Sequence, residues 1–414
     1  VKIYAVGGAV RDQLLGLPVN DRDWVVVGAG VEDMLSQGFV PVGRDFPVFL
    51  HPETHEEYAL ARSERKTAPG YHGFVFHTDK DVTLAEDLAR RDLTINAMAL
   101  SPEGILIDPY GGQNDLAAKV LRHVSPAFTE DPLRILRVAR FYARFEEFSL
   151  APETLDLMQM MCATGEIDHL TTERVWQELA RALMERRPSR CFELLRSCGA
   201  LARLLPELDA LFGVPQRADY HPEIDCGAHV LLALDQAAQL GGNLACRFAV
   251  LGHDLGKGTT PAALWPRHCG HEQRSVAILG PLCTRLRVDR QCRELALLVA
   301  RYHGDIGRID GCRPQTIVRI LERCNAFRRP ERFEHILLAC EADFRGRAGW
   351  AASPFKQKLH WRSALEAAAQ VDCAALARQC KASAHIPAAI HAARVRAVER
   401  LSWVKADDRA LKSA

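Results

Sequence analysis

The stretch "VGGAVRDQLLGLPVNDRDWVVVGA" (residues 6–29) limits the folds open to this chain more than any other. The apolar run Ile3–Val6 reads as a strand and stops at Gly7-Gly8. A turn without side chains lets backbone approach a ligand closely. A helix over Ala9–Leu15 follows, and the first N–H groups of a helix are a natural seat for phosphate. Arg11, in its first turn, can reach the same anion. Asp21 and Asp23 flank Arg22 where the strand Trp24–Val27 begins. The period of two puts both carboxylates on one face, where they can hold Mg²⁺ beside a triphosphate. Alone, Gly-Gly is a turn and Asp-x-Asp a solvated strand entrance. The order strand, Gly-Gly, helix, Asp-x-Asp, strand is far more specific.

The rest of the front segment continues the β-rich pattern, with strands expected at Val48–Leu50 and Tyr58–Ala61. Beyond about residue 130 the period turns helical almost everywhere: 131–148, 171–187, 189–204, 228–240, 244–255, 272–286, 290–303 and 314–325. The fold class expected is therefore α+β in front and all-α behind. At 414 residues the chain exceeds one ordinary core. The Pro-rich segment "FGVPQRADYHPEID" (212–225) reads as a boundary, and the tail after about 350 is Ala-rich and helical.

Charge excludes little. Lys plus Arg (53) nearly cancels Asp plus Glu (52), so any nucleic-acid surface must be local. The 13 cysteines are scattered and lack C-x-x-C spacing, which argues against a zinc ribbon and for a reducing compartment. The run Ile3–Val6 is too short for a signal peptide, and no stretch of membrane-spanning length is apolar. The expected location is cytoplasmic.

One local cationic surface is plain. In "EDPLRILRVARFYARFEEF" (130–148), Arg134, Arg137, Arg140 and Arg144 step by 3, 3 and 4 and share a helical face. Ile135, Val138, Ala139, Tyr142 and Phe145 lie opposite, while Leu133, Phe141 and Phe148 fall on the Arg side. By spacing alone the face is either solvated or a phosphate and base clamp; the guanidinium fork suits both anion and base edge. Asp131, before Pro132, reads equally as a helix N-cap or as part of that clamp.

The opening order resembles the nucleotidyltransferase fold of the DNA polymerase β superfamily. With "RDFPVFLHPETHEEYALARSERK" (44–66), "RRDLTINAMA" (90–99) and "EDPLRILRVARF" (130–141) it is similar to the bacterial class II tRNA nucleotidyltransferases, the CCA-adding enzymes, from residue 1 to about 350. The resemblance implies a mixed sheet with helices. It implies Mg²⁺ at Asp21 and Asp23, with Gly8 backbone and Arg11 on the β- and γ-phosphates. Arg91 would lie on the sugar and phosphate side, and Arg137 and Arg140 on the triphosphate. Asp131 and Arg134 would read the Watson–Crick edge of C or A. The Pro/Gly-bearing segment 65–73 is expected to move between CTP and ATP. Arginines of 171–212 (among them Arg174, Arg181, Arg190 and Arg203) are expected either to pair within a solvated helix pair or to track the tRNA acceptor-stem backbone.

A second constellation lies further on. His229 sits on a helix, His253-Asp254 ends an apolar helix, His268 and His271 follow, and then come His303 and Asp305. A carboxylate buried at a helix end needs a partner, and a metal would serve. The set resembles the HD superfamily of metal-dependent phosphohydrolases, which implies His229, His253, Asp254 and Asp305 as ligands. The last motif reads His-Gly-Asp (303–305), one residue longer than the adjacent pair expected. Imidazole with carboxylate suits a transition metal, Ni²⁺ foremost, better than Mg²⁺.

The division expected is a nucleotidyltransferase head (1–125), a helical nucleotide-recognition and RNA-binding region (126–220), an HD domain (221–330) and a helical tail (331–414). The resemblance implies untemplated addition of C, C and A to a tRNA 3′ end from CTP and ATP, with pyrophosphate released. It also implies phosphatase, 2′-nucleotidase and 2′,3′-cyclic phosphodiesterase activity. Partners expected are the tRNA acceptor end, CTP and ATP, with no DNA and no membrane, in a monomer or homodimer. The rivals are a poly(A) polymerase, an HD hydrolase with an inert front half, and a non-catalytic RNA-binding protein.

Overall fold

A computed structural model describes residues 1–19, 21–42, 48–66, 74–77, 80–380 and 382–404. The segment 67–73, and with it most of the expected moving loop, lies outside the described residues, as do 43–47. The chain forms two compact units: Val1–Ala182 with Arg190–Leu204, and Leu183–Ser189 with Leu205–Ala414.

The first unit is built on a mixed sheet. Strands β1 (Lys2–Val6), β2 (Asp23–Val27), β3 (Val40–Val42), β4 (Val48–Leu50), β5 (Glu57–Leu60), β8 (Ala99–Leu100) and β9 (Leu106–Ile107) lie in the order β3-β4-β5-β2-β1-β8-β9. A separate antiparallel pair is formed by β6 (Ser63–Lys66) and β7 (Phe74–His77). β2 runs antiparallel to β1 and parallel to β5, so it lies inside the sheet and both its faces need cover. Its centre, Val25 and Val26, is accordingly buried on both faces. Val25 packs with Val6, Leu88 and Ala97, and Val26 with Met34, Phe49 and Leu60.

The described residues beyond Leu150 contain helices and turns but no strand, as the period in the sequence predicts. In the second unit the helices Cys226–Gln239, Leu244–Gly252, Arg290–Gly307 and Pro330–Arg345 pack on one another around Leu234, Ala249, Val250, Ala296 and Leu337, all buried. Asp225 and Asn243 cap the first two by accepting the N–H of Ala228 and Cys246. Gly346 is required where the chain leaves the last helix, since a Cβ there would stand 2.4 Å from Ala233 Cα. The 13 cysteines are all free thiols, and nine are buried.

Candidate functional site

The opening turn is built as its residues dictate. Gly7 has φ +70, in the left-handed region where glycine carries no Cβ penalty. The helix Gly8–Leu14 starts immediately after it. In the β1–β2 register Val6 stands opposite Asp23, so the strand end and the aspartate meet beside the turn. A Cβ on Gly7 would lie 3.0 Å from Arg91 Nη1 and 4.0 Å from Asp23 Oδ2. Backbone, guanidinium and carboxylate thus share one small space that only glycine leaves open. Asp21 and Asp23 are both exposed. Arg91 is held from behind by Asp87 at 3.2 Å.

Arg11 stands at the same turn, its Nη2 3.4 Å from where a Cβ on Gly8 would lie, and it is tied into the fold around it. Only 2 % exposed, it donates through Nε to Asp12 (2.8 Å) and through Nη1 to Asn96 (2.5 Å). Its guanidinium lies over the rings of Phe141 (5.0 Å) and Phe145 (5.3 Å). Burial lowers its pKa, against the charge of Asp12. A helix of seven residues buries Arg11 by turning its first coil onto the sheet, so the side chain braces the fold.

The arginine face is partly covered and fully paired. The helix spans Leu133–Arg144, and each of its arginines meets an acceptor. Arg137 Nε donates to Asp92 (2.7 Å), Arg140 Nε to Glu178 (2.8 Å) and Arg144 to Asp12 (3.0 Å). Buried Arg134 donates to the carbonyl of Ala127. Phe141, which breaks the pattern on that face, lies 4.5 Å beneath Arg140. Asp131 takes the capping contact its place before Pro132 allows, and it also pairs with an arginine of a later helix. One oxygen caps the helix through Leu133 N–H (3.0 Å), and the other takes Arg174 Nη2 (2.7 Å). Reasoning from spacing missed the counter-charges Asp12, Asp92 and Glu178, although a cationic face on a helix this apolar needs them. Within 171–212, Arg190 is likewise structural, donating to the carbonyls of Phe145 (3.0 Å) and Phe148 (2.7 Å).

Burial opposes a charge on Asp92, but the charge of Arg137 and hydrogen bonds from Asn96, Arg137 and Leu93 N–H hold its carboxyl below the usual range. A depressed folded pKa contributes stability above the unfolded value and loses it as pH falls through the folded one. Asp92→Asn should therefore cost about 3 kcal/mol at pH 7, the low end for a broken buried pair because Arg137 keeps some solvent. The gap between variant and wild type in urea unfolding should narrow below about pH 4.

The second unit gathers its own cluster. His229 Nδ1 lies 2.7 Å from Glu223 and Nε2 lies 2.9 Å from Asp343. His253 Nε2 stands 3.2 Å from Asp254 and 3.6 Å from Asp343. On the other side of Asp254, His271 Nε2 is at 3.3 Å and His303 Nε2 at 3.6 Å. Lys257 Nζ lies 2.7 Å from the second Asp254 oxygen. The expected ligand Asp305 is elsewhere: its side chain is 42 % exposed and faces Arg308 at 4.0 Å. His303 and Asp305 are two apart on one helix, and such residues point to different sides. The carboxylate in the cluster is Asp343, two turns of helix beyond Ile336. Its only signal in the sequence was an acid near the end of the run "HILLACEADF".

The residues fit a divalent metal. Nδ1 of His253, His271 and His303 lies against the carbonyl of Val250 (2.7 Å), His268 (2.9 Å) and Val299 (3.1 Å) respectively. A carbonyl only accepts, so each Nδ1 must donate and each Nε2 faces the cluster. His253 Nε2 and Asp254 Oδ1 are buried without a hydrogen-bond partner. Burial opposes a proton on His253, yet Asp254 and Asp343 raise its pKa to about 10. A bound cation would take the place of that proton. His229, His253 and Asp254 form one group with ligand atoms within 4.8 Å of one another, and Asp254, His271 and His303 form another.

A mixed sheet with a Gly-Gly turn, two carboxylates at a strand entrance and an arginine helix defines a nucleotidyltransferase, a class that implies a divalent metal. The family described as "Poly A polymerase head domain" matches residues 3–122, and "Probable RNA and SrmB- binding site of polymerase A" matches 147–212. The chain belongs to the multifunctional CCA protein family. It is 62 % identical over 401 residues to the multifunctional CCA protein of Dechloromonas aromatica strain RCB, covering 97 % of each chain. The similarity therefore continues past residue 350, into the tail. Among solved structures, the Thermotoga maritima CCA-adding enzyme complexed with tRNA matches with TM-score 0.64 at 19 % identity, over 99 % of this chain and 91 % of that one. The Bacillus stearothermophilus CCA-adding enzyme in complex with CTP matches with TM-score 0.62 at 22 % identity, over 99 % and 94 %. At those identities the solved structures speak to the fold.

Proposed function

We propose that this chain adds C, C and A to the 3′ end of tRNA from CTP and ATP. The observation that carries this is the identity across nearly the whole of both chains with a multifunctional CCA protein. The tRNA 3′-hydroxyl attacks the α-phosphorus, a new P–O bond forms, and the bond to pyrophosphate breaks. Asp21 and Asp23 would hold the divalent metal, Mg²⁺, which supplies charge neutralisation and a more acidic hydroxyl. Gly8 backbone and Arg11 would hold the β- and γ-phosphates at the turn, with Arg91 on the sugar and phosphate side. Asp131 accepts the exocyclic amine of C or A, steadied by Arg174 and the Leu133 N–H, and Arg134 donates to ring acceptors. U and G lack an amine at that position. Arg137 and Arg140, aligned by Asp92 and Glu178, would face the triphosphate.

For the second unit we propose hydrolysis of phosphate esters: phosphatase, 2′-nucleotidase and 2′,3′-cyclic phosphodiesterase. His229, His253, Asp254 and Asp343 would hold a transition metal, Ni²⁺ by preference, that supplies Lewis acidity. Clearing a 2′,3′-cyclic phosphate would prepare the hydroxyl that the transferase needs. The four-part division at 125, 220 and 330 is part of this reading, as are a cytoplasmic location, supported by 13 free thiols, and a monomer or homodimer. Among the described residues no helix is long and apolar enough to cross a membrane.

Incubating the protein with tRNA lacking its 3′ terminus, CTP, ATP and Mg²⁺, then sequencing the product ends, tests the main reading. A stop after C-C-A is expected. A long A tract would mark a poly(A) polymerase instead. Nucleotide hydrolysis without incorporation would mark a hydrolase with an inert front half.

A further inference from the structure

Three helices that carry the metal-binding cluster meet it with the same end. His253-Asp254 follow the helix Leu244–Gly252, His303 lies near the end of Arg290–Gly307, and Asp343 near the end of Pro330–Arg345. The C-terminal end of a helix is its negative pole and suits a cation. The three opposite poles also converge. A cavity of about 440 Å³ is lined by Asn243 at the start of the first helix, Gln291 and Glu294 from the second, Arg328 and Arg329 just before the third, and Arg332 in its first turn. Along the shortest helix, the rise separates this cavity from the metal-binding cluster by about 14 Å.

The charges there are unequal. Glu294 is met by Arg290 (2.7 Å), Arg332 (3.1 Å) and Arg329 (3.6 Å), so one carboxylate faces three guanidiniums. Arg332 is fixed by a second bond, to the Cys324 carbonyl at 2.8 Å. Arg328 is exposed beside them, and exposed Glu331 is the second acid of the lining. Three arginines and two glutamates thus line the cavity, with Arg290 beside it on Glu294, at a point where three positive helix ends meet. Both features favour an anion. The planar guanidinium fork selects phosphate, which accepts two parallel N–H bonds. The volume exceeds that of a phosphate ion and lies in the range of small-molecule sites.

We propose that this cavity binds a phosphate ester of mononucleotide size, its phosphate held by Arg328 and Arg329 at the start of the Pro330–Arg345 helix. The ester can be a free nucleotide or a nucleotide within RNA. The site is separate from the transferase turn and from the metal-binding cluster.

The test compares the full-length wild type with Arg328→Gln/Arg329→Gln, both exposed positions outside the two catalytic clusters. AMP is titrated calorimetrically at low salt without added metal. The wild type is expected to show an AMP binding component that the double variant loses or weakens at least tenfold, with an unchanged thermal midpoint and with any binding at the transferase turn common to both. Identical titrations, with or without binding, overturn the proposal. Filter binding of tRNA across a salt series separates the two sources. A salt slope lower by about one or two in the variant indicates an RNA-borne ester. An unchanged slope with the AMP event lost indicates a free nucleotide.

Discussion

Asp23→Ala and Asp21→Ala are each expected to lower CMP and AMP incorporation into tRNA by at least ~10³-fold, about 4 kcal/mol of transition-state stabilisation. Both carboxylates are exposed, at the mouth of a turn where a Cβ on Gly7 would already touch Arg91 and reach Asp23. Their removal costs the fold little, so urea midpoints should stay within about 0.5 kcal/mol of wild type. Hydrolysis of 2′,3′-cAMP should be untouched, because the cluster that would carry it lies in the other unit. Turnover retained in either variant would remove these two residues from the catalytic assignment.

Asp343→Asn should abolish 2′,3′-cAMP hydrolysis and weaken Ni²⁺ binding, read by calorimetry, by 100-fold or more, while Asp305→Asn changes neither beyond about twofold. Loss of one ligand is expected to cost more than the 10–100-fold of an outer-shell partner. Asp343 touches both His229 and His253, at 2.9 and 3.6 Å. Asp305 touches only Arg308, at the surface. Calorimetry separates metal binding from catalysis, and tRNA extension by both variants should equal wild type. A metal-binding defect in Asp305→Asn with a normal Asp343→Asn would reverse the assignment.

Local pattern made much of this legible. Gly7-Gly8 announced a turn without side chains, and the run Trp24–Val27 announced a strand. The period of Arg134, Arg137, Arg140 and Arg144 announced one helical face. The partners of that face were not legible. Asp92, Glu178 and Asp12 lie 45, 38 and 132 residues from the arginines they meet, and no spacing rule spans such separations. Arg11 shows the same limit. Its place in a first helical turn put it beside Gly8, but its burial under Phe141 and Phe145, more than 125 residues away, was not legible.

By itself the sequence determined the fold class, the helical rear of the chain and the candidate residues grouped at short local spacing: Asp21 with Asp23, Asp131 with Arg134, His253 with Asp254. Side-chain direction along a strand or helix follows from backbone period alone, so such pairs need no knowledge of the rest of the chain. Only the tertiary structure decided which carboxylate completes the histidine cluster. His303 and Asp305 are neighbours in the chain but point to different sides of one helix, whereas Asp343 arrives from a helix packed alongside. The same packing sets three negative helix ends around the histidine cluster and three positive ends around the arginines of the opposite cavity. A helix dipole has a direction in any sequence, but only packing decides which poles meet.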